Sequence, residues 1–266
     1  MTFSQSGLRR FITCPRQHHL MSALQAPPDP SGDRATRSLL GEVVDDTIAA
    51  MYEQAWHTLP TCIDLLRDYS YGRLVARYPA GGLPESAARL HQRLAPIWAC
   101  VPETVRLEGL FAPRTYVRKD FSAVCGANEL KGQPDIVFES DDSLSVVDVK
   151  LRAKSSLRTF QLKVYQLLVE AALRRPVTRL GYWLPRDSTV HWYRVRPVAP
   201  AFMAEIAQAL DGMAAGETSP RCSSECSHCE VQGQCPEGQA FLASKVIPVS
   251  TITGTAYAGR PTVTGF

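Results

Sequence analysis

Between Phe3 and Leu24 the apolar residues Leu8, Phe11, Ile12 and Leu20 recur at roughly helical spacing behind the candidate caps Ser4 and Ser6, which predicts a helix carrying Cys14. PPDPSGD at 27–33 reads as a loop from its turn chemistry, Ser38–Gln54 as a helix, and two further helical stretches follow near 61–78 and 84–99, separated by PAGG. From Thr104 the pattern changes. VRLEGLFA (105–112), TYVRKDFSAV (115–124), GQPDIVFE (132–139) and LSVVDVKL (144–151) are short, rich in β-branched and aromatic residues and bounded by turn formers, as strands are, with a hairpin between the last two. Thr159–Leu173 is then an amphipathic helix, RLGYWLP and TVHWYRV are strand-like, and Ala199–Ala215 closes as a helix. This order predicts an α/β chain of the α+β kind, a mixed sheet with helices packed on it. Residues 1–245 read as one domain, with 55–100 as a helical insertion and 246–266 as a C-terminal tail.

Composition adds little to that picture until the cysteines and the charges are placed. With 45% hydrophobic and 21% charged residues the chain has the balance of a soluble globular protein. Its start lacks the apolar run of a secretory signal, and nowhere are there about 18 uninterrupted apolar residues, so a cytoplasmic protein with no membrane partner is expected. In that reducing setting eight cysteines are not expected to form a disulfide framework, and a tight group among them reads first as a metal or redox site. The net charge of +3 hides an asymmetry: Val146–Arg196 holds eleven Lys or Arg against three acids. Such a stretch suits a polyanionic partner, since Lys and Arg neutralise phosphates and release their counterions; a solvated basic helix face is the alternative.

Chemistry concentrates in GQPD at 132–135 and DVK at 148–150. Strand residues two apart face the same side, so Asp148 and Lys150 point together, and Asp135 on a neighbouring strand reaches the same spot. Two carboxylates and an ammonium then converge. Mg²⁺ prefers oxygen ligands and keeps several waters, so two Asp side chains plus a substrate phosphate make a workable site, in which the metal polarises the phosphate and acidifies a water. Lys150 would orient that water or stabilise the charge developing on the phosphate.

Pro134-Asp135 followed by Asp148-Val149-Lys150 resembles the signature of the PD-(D/E)XK nucleases. Gln161 and Tyr165, one helical turn apart, resemble the QxxxY element of RecB-type members, which in the family helps bind and position DNA near the metal. Gly41-Glu42-Val43-Val44-Asp45 stands where the family has GxxxH, with Asp45 in place of the His ligand. A carboxylate there still suits Mg²⁺ or Mn²⁺, and Asp46 is the alternative ligand. Glu108 is the candidate for the family's upstream acid, and Lys154 and Arg158 in the basic stretch are candidate DNA contacts.

Cys226-x2-Cys229-x5-Cys235, with Cys14 in CPRQ near the N terminus, resembles the arrangement of AddB-type nuclease domains and of the CRISPR-associated adaptation exonucleases. That resemblance implies a 4Fe-4S cluster joining the N- and C-terminal segments across a restriction-endonuclease-like core; Zn²⁺ is the alternative occupant of four thiolates. Cys222 could replace one of the four, Cys62, Cys100 and Cys125 read as buried or incidental, and His228 as a surface residue. The implied activity is metal-dependent exonucleolytic hydrolysis of single-stranded or frayed DNA, in DNA repair and recombination, CRISPR adaptation or phage defence. No GxxxxGK[ST] motif is present, so unwinding would come from a partner such as a helicase or another nuclease-complex subunit. The competing reading is a catalytically inactive nucleic-acid-binding or scaffold subunit of a helicase-nuclease-type complex, and Asp45 is its best argument.

Overall fold

The valine-rich segment Leu144–Val149 is buried at every position, as a strand covered on both faces must be. The computed structural model describes residues 1–24, 32–79, 83–141, 143–151 and 159–245, with the backbone alone for 32–34. In chain order its elements are β1 (Thr2–Ser4), α1 (Gln5–Thr13), α2 (Pro15–Ala23), α3 (Gly32–Glu53), α4 (Cys62–Arg77), α5 (Ala87–Glu108), β2 (Arg114–Val117), β3 (Phe121–Cys125), β4 (Asn128–Gly132), β5 (Ile136–Glu139), β6 (Leu144–Val149), α6 (Thr159–Leu173), β7 (Val177–Leu184), β8 (Thr189–Tyr193), α7 (Pro200–Ala214) and α8 (Pro236–Lys245). Five strands form a mixed sheet in the order β2-β5-β6-β7-β8, with β6 parallel to β7 and antiparallel to β5. A second sheet, β1-β4-β3, pairs β1 parallel to β4.

Strand alternation divides the central sheet between two cores. Ile136, Phe138, Val147, Val149 and Trp183 pack with α3, α4 and α5, whereas Val137, Val146, Leu180 and Tyr182 pack with α1, α6, α7 and the small sheet. The helices of 55–100 are thus one full layer over the sheet. No helix among the described residues is long and apolar enough to cross a membrane.

Four expectations change. The helix from Phe3 to Leu24 is broken at Cys14, whose extended backbone (φ −162°) precedes Pro15 at the first position of α2; before it, Thr2–Ser4 is a strand and Ser4 caps α1 by accepting from the Gly7 N–H at 3.1 Å. VRLEGLFA is not a strand: α5 runs through Pro96 and Pro102 to Glu108 and ends at Gly109, whose φ of 62° is the left-handed cap. Each internal proline costs a helix about 3 kcal/mol, but α5 buries Leu90, Leu94, Ile97, Trp98, Val101 and Val105, each worth roughly 1.5–3 kcal/mol, so burial decides the outcome. TYVRKDFSAV is two strands in different sheets, separated where Arg118 takes φ 46°. GQPDIVFE likewise divides, leaving Gln133, Pro134 and Asp135 as the link from β4 to β5. The tail 246–266 and part of the 27–33 loop lie outside the described residues.

Because Trp98 is fully buried between the helical layer and the sheet, Trp98→Ala is expected to lower unfolding stability by about 3–5 kcal/mol in denaturant titration. Val124→Ala, on a 76% exposed side chain, should stay within about 0.5 kcal/mol. A Trp98→Ala loss no larger than that of Val124→Ala would mean the helical layer is not part of the cooperative core.

Candidate active site

Asp148 sits near the end of β6 on the face shared with Val146 and, across the parallel pairing, Tyr182. It is 0% exposed. The Lys150 ammonium, just beyond the strand, ion-pairs with its Oδ2, so the two side chains do point together; Oδ1 is buried without a hydrogen-bond partner. Asp135 reaches the same place from the link before β5, and its Oδ2 accepts the Val149 N–H at 2.7 Å. That bond locks the link against the end of β6. Burial, with the Asp135 charge next in weight, raises the Asp148 pKa above the carboxylate range. Burial alone would lower the Lys150 pKa, but Asp148 and Asp135 reverse this and keep the amine charged.

Asp45 approaches from α3. Its pKa is pushed up to about 7, first by burial and then by Asp135, against the opposing pull of Lys150 and Arg118. Three carboxylates therefore share one electrostatic neighbourhood that holds the Lys150 ammonium and the Arg118 guanidinium. The adjacent Asp46 has a different fate. Arg73 donates to its Oδ2 at 2.6 and 2.9 Å, Arg118 donates to Oδ1 at 2.7 Å, and Arg77 lies 2.8 Å from Oδ2. Burial would raise the Asp46 pKa, but the Arg118 and Arg73 hydrogen bonds outweigh it and the net shift is downward. Both oxygens of Asp46 are thus engaged by arginines. Its sequence signal was Arg73 and Arg77 one helical turn apart on α4, which only the fold connects to α3.

The Gln161 amide donates to the Tyr165 hydroxyl at 3.0 Å, and Tyr165 is buried beside the acids: its pKa is raised by burial and then by the nearby Asp148 charge. Gly132 permits this approach of α6, since a Cβ there would lie 2.7 Å from Leu168 Cδ1 and 3.4 Å from Tyr165 Cε1. Tyr182 feels Asp148 in the same way and was not foreseen; only its register opposite Asp148 reveals it. Glu108 goes elsewhere: it ends α5 and accepts the Trp192 indole N–H at 2.8 Å. Lys154 and Arg158 lie outside the described residues.

At the junction of α1 and α2, Cys14 lines one small cavity together with Cys222, Cys226, Cys229 and Cys235. None of the eight cysteines is in a disulfide. Backbone N–H groups of Arg221, Ser223 and Gly238 donate to the sulfurs of Cys14, Cys226 and Cys235 at 3.3–3.4 Å. Arg16 ion-pairs with Glu237 at 2.8 Å and Arg221 donates to the Ile12 carbonyl at 2.7 Å, so polar contacts fasten the two ends of the chain around the sulfurs. Cys62 and Cys125 are buried elsewhere in the core, and His228 is exposed. Among the described residues, no three His, Cys, Asp or Glu side chains form a metal-binding group as they stand.

The sequence profile of the PD-(D/E)XK nuclease superfamily matches residues 2–236. The chain belongs to that superfamily. No curated protein matches it. Among solved structures, the one described as "Crystal structure of SSO0001" aligns over 88% of this chain and 96% of that one, at 14% identity and a TM-score of 0.35, a likeness too slight to carry an argument.

The raised Asp45 pKa has a consequence for stability. Its folded value near 7 exceeds the ordinary 3.8, so the stability it lends is complete at low pH and is lost as pH rises through about 7. In EDTA, Tm is expected to fall between about pH 4 and 7, and Asp45→Asn should flatten that fall. An Asp45→Asn profile that parallels the wild type would remove Asp45 from the acidic group.

Proposed function

We propose that the protein is a DNA nuclease dependent on Mg²⁺ or Mn²⁺, of the RecB/AddB-like kind, acting exonucleolytically on single-stranded or frayed DNA. Asp135 and Asp148 would hold the metal, with Asp45 in place of the usual His. The bound ion supplies Lewis-acid polarisation of the scissile phosphate and acidifies a water at neutral pH. Lys150 stays protonated within reach of Asp148 and stabilises the charge that builds up on the phosphate as water adds. Gln161 and Tyr165, joined by their hydrogen bond, orient the DNA backbone beside the acids. Burial of Asp148 excludes water and strengthens each of these charge interactions.

The observation that carries this reading is Asp148: a fully buried carboxylate, with Oδ1 lacking a hydrogen-bond partner, beside two more carboxylates. Buried charges are normally paired or bound to metal, and Lys150 together with Arg118, which is already paired with Asp46, does not balance the three acids.

For the cysteines we propose a 4Fe-4S cluster on Cys14, Cys226, Cys229 and Cys235, with Zn²⁺ as the alternative. An all-sulfur donor set and the three N–H···S contacts support it. Cys222 lines the same cavity and donates to the Glu237 carbonyl at 3.6 Å, which gives it a partner of its own.

End-labelled single- and double-stranded DNA with Mg²⁺, Mn²⁺ or EDTA tests the activity. Asp148→Ala and Lys150→Ala are expected to lose at least about 100-fold in rate while staying folded, and Asp45→Ala to lose less, or to differ between the two metals. Equal rates for wild type and Lys150→Ala would mean the site is misassigned; wild-type binding without cleavage in either metal would favour the inactive scaffold. For the cluster, anaerobically purified protein is expected to be brown, with about four irons per chain and acid-labile sulfide. One zinc and no iron would support the structural alternative, and neither metal would remove both.

A further inference from the structure

Two adjoining cavities of about 500 and 740 Å³ run along the flank of α6 and share Gln166, Arg196, Pro197 and Val198. Together they make one groove between α6 and the segment from β8 into α7. Five cations line it, of which Arg175 is ion-paired with Glu139. Lys163, Arg174, Arg194 and Arg196 are all exposed, and none makes an ion pair among the described residues. By contrast Arg73, Arg77, Arg89, Arg93 and Arg106 on α4 and α5 are each matched to a carboxylate. The one acid lining the groove, Glu170, is already engaged: its Oε1 accepts from the Val177 N–H at 2.9 Å and from Gln166 at 3.0 Å.

Aromatic rings lie among these cations. Phe202 lines the groove with Lys163 5.9 Å from its ring centroid, and Tyr193 lines it nearby. Tyr193 also links the groove to the acids, because its ring meets Tyr182 edge-on at 5.9 Å and Tyr182 pairs in register with Asp148. Between Lys163 and Arg174 the helix rises roughly 16 Å. At the 3.4 Å phosphate spacing of a helical strand, that length accommodates about five phosphates.

We propose that this groove carries the single-stranded DNA beyond the scissile phosphate, binding its backbone through Lys163, Arg174, Arg194 and Arg196 and stacking a base on Phe202. The inference rests on the nuclease reading above and adds to it the path of the strand. Unpaired cations interleaved with aromatic rings are what a sequence-tolerant single-strand site requires: phosphates release counterions, and any base presents a face for stacking. A groove of this kind raises affinity for long strands without touching the reacting phosphate.

The test uses the full-length protein and a long single-stranded oligonucleotide, with affinity read by fluorescence anisotropy in EDTA and turnover read in Mg²⁺ or Mn²⁺. The triple variant Lys163→Glu/Arg194→Glu/Arg196→Glu is expected to bind at least about tenfold more weakly and to lose roughly 2 units from the slope of log K against log salt, three contacts at about 0.7 each. KM should rise by a similar factor while kcat stays within about twofold. Arg196→Ala alone should cost the slope about 0.7, and the charge-conserving Lys163→Arg/Arg194→Lys/Arg196→Lys should bind nearly as the wild type, so a poorly folded triple leaves two variants that decide. Unchanged affinity and slope in the triple variant, with a wild type that cuts, would overturn the groove alone. So would a fall in kcat at constant KM. Wild type that neither binds nor cuts single strands overturns the groove and the nuclease reading together.

Discussion

Asp148 brings a carboxylate to zero exposure in the most buried strand of the sheet, and much of the surrounding structure follows from what that placement requires. An isolated ionised carboxylate in a low-dielectric interior costs tens of kcal/mol, so it must be protonated, paired or bound to a cation. Lys150 pairs one oxygen; Asp135 and Asp45 add negative charge rather than relieve it. The fold holds this arrangement by rigid means. Asp135 is fixed by the Val149 N–H, and Tyr165 is brought in by the close packing of α6 on Gly132. Asp45 is presented by α3, and α3 is anchored through Asp46 and its three arginines. Neighbouring aspartates thus do opposite work. Asp46 is neutralised and structural, whereas Asp45 is left with an elevated pKa facing the acids.

A second constraint acts at a distance along the chain. Cys14 lies more than two hundred residues before Cys226, yet both line one cavity, and the Arg16–Glu237 and Arg221–Ile12 contacts close the same junction. Closing so long a loop removes much chain entropy from the unfolded state, and a bound metal would add its binding free energy to folding. α1 is the shared element: it begins beside β4 through β1, packs Leu8 and Phe11 into the core of α6 and α7, and ends at Cys14. A change at the sulfurs is therefore mechanically connected to the helix layer that carries Gln161 and Tyr165.

The central motif was legible because it depends on local geometry. β6, α6 and β7 have unambiguous patterns, and the same-face rule for strand residues brought Asp148 and Lys150 together as expected. VRLEGLFA (105–112) was misread because its β-branched start and the preceding Pro102 imitate a strand boundary, while the burial that keeps α5 helical comes from α4 and the sheet, which a local window does not contain. Glu108 went astray with it. The division of 115–124 and of 132–139 into separate strands was hidden because each reads as one continuous β-prone run, broken only by backbone changes at Arg118 and at Gln133–Asp135. The contrast between Asp45 and Asp46 was out of reach in principle, since Arg73, Arg77 and Arg118 come from two other elements.

That the acids form a cation site is tested most directly by manganese binding without DNA, followed through the electron paramagnetic resonance of free Mn²⁺. The account predicts saturable binding at neutral pH with proton release, because the raised Asp45 and Asp148 carboxyls give up protons as the ion enters, and loss of both signals in Asp148→Asn. Manganese binding by Asp148→Asn that matches the wild type in affinity and proton release would contradict it.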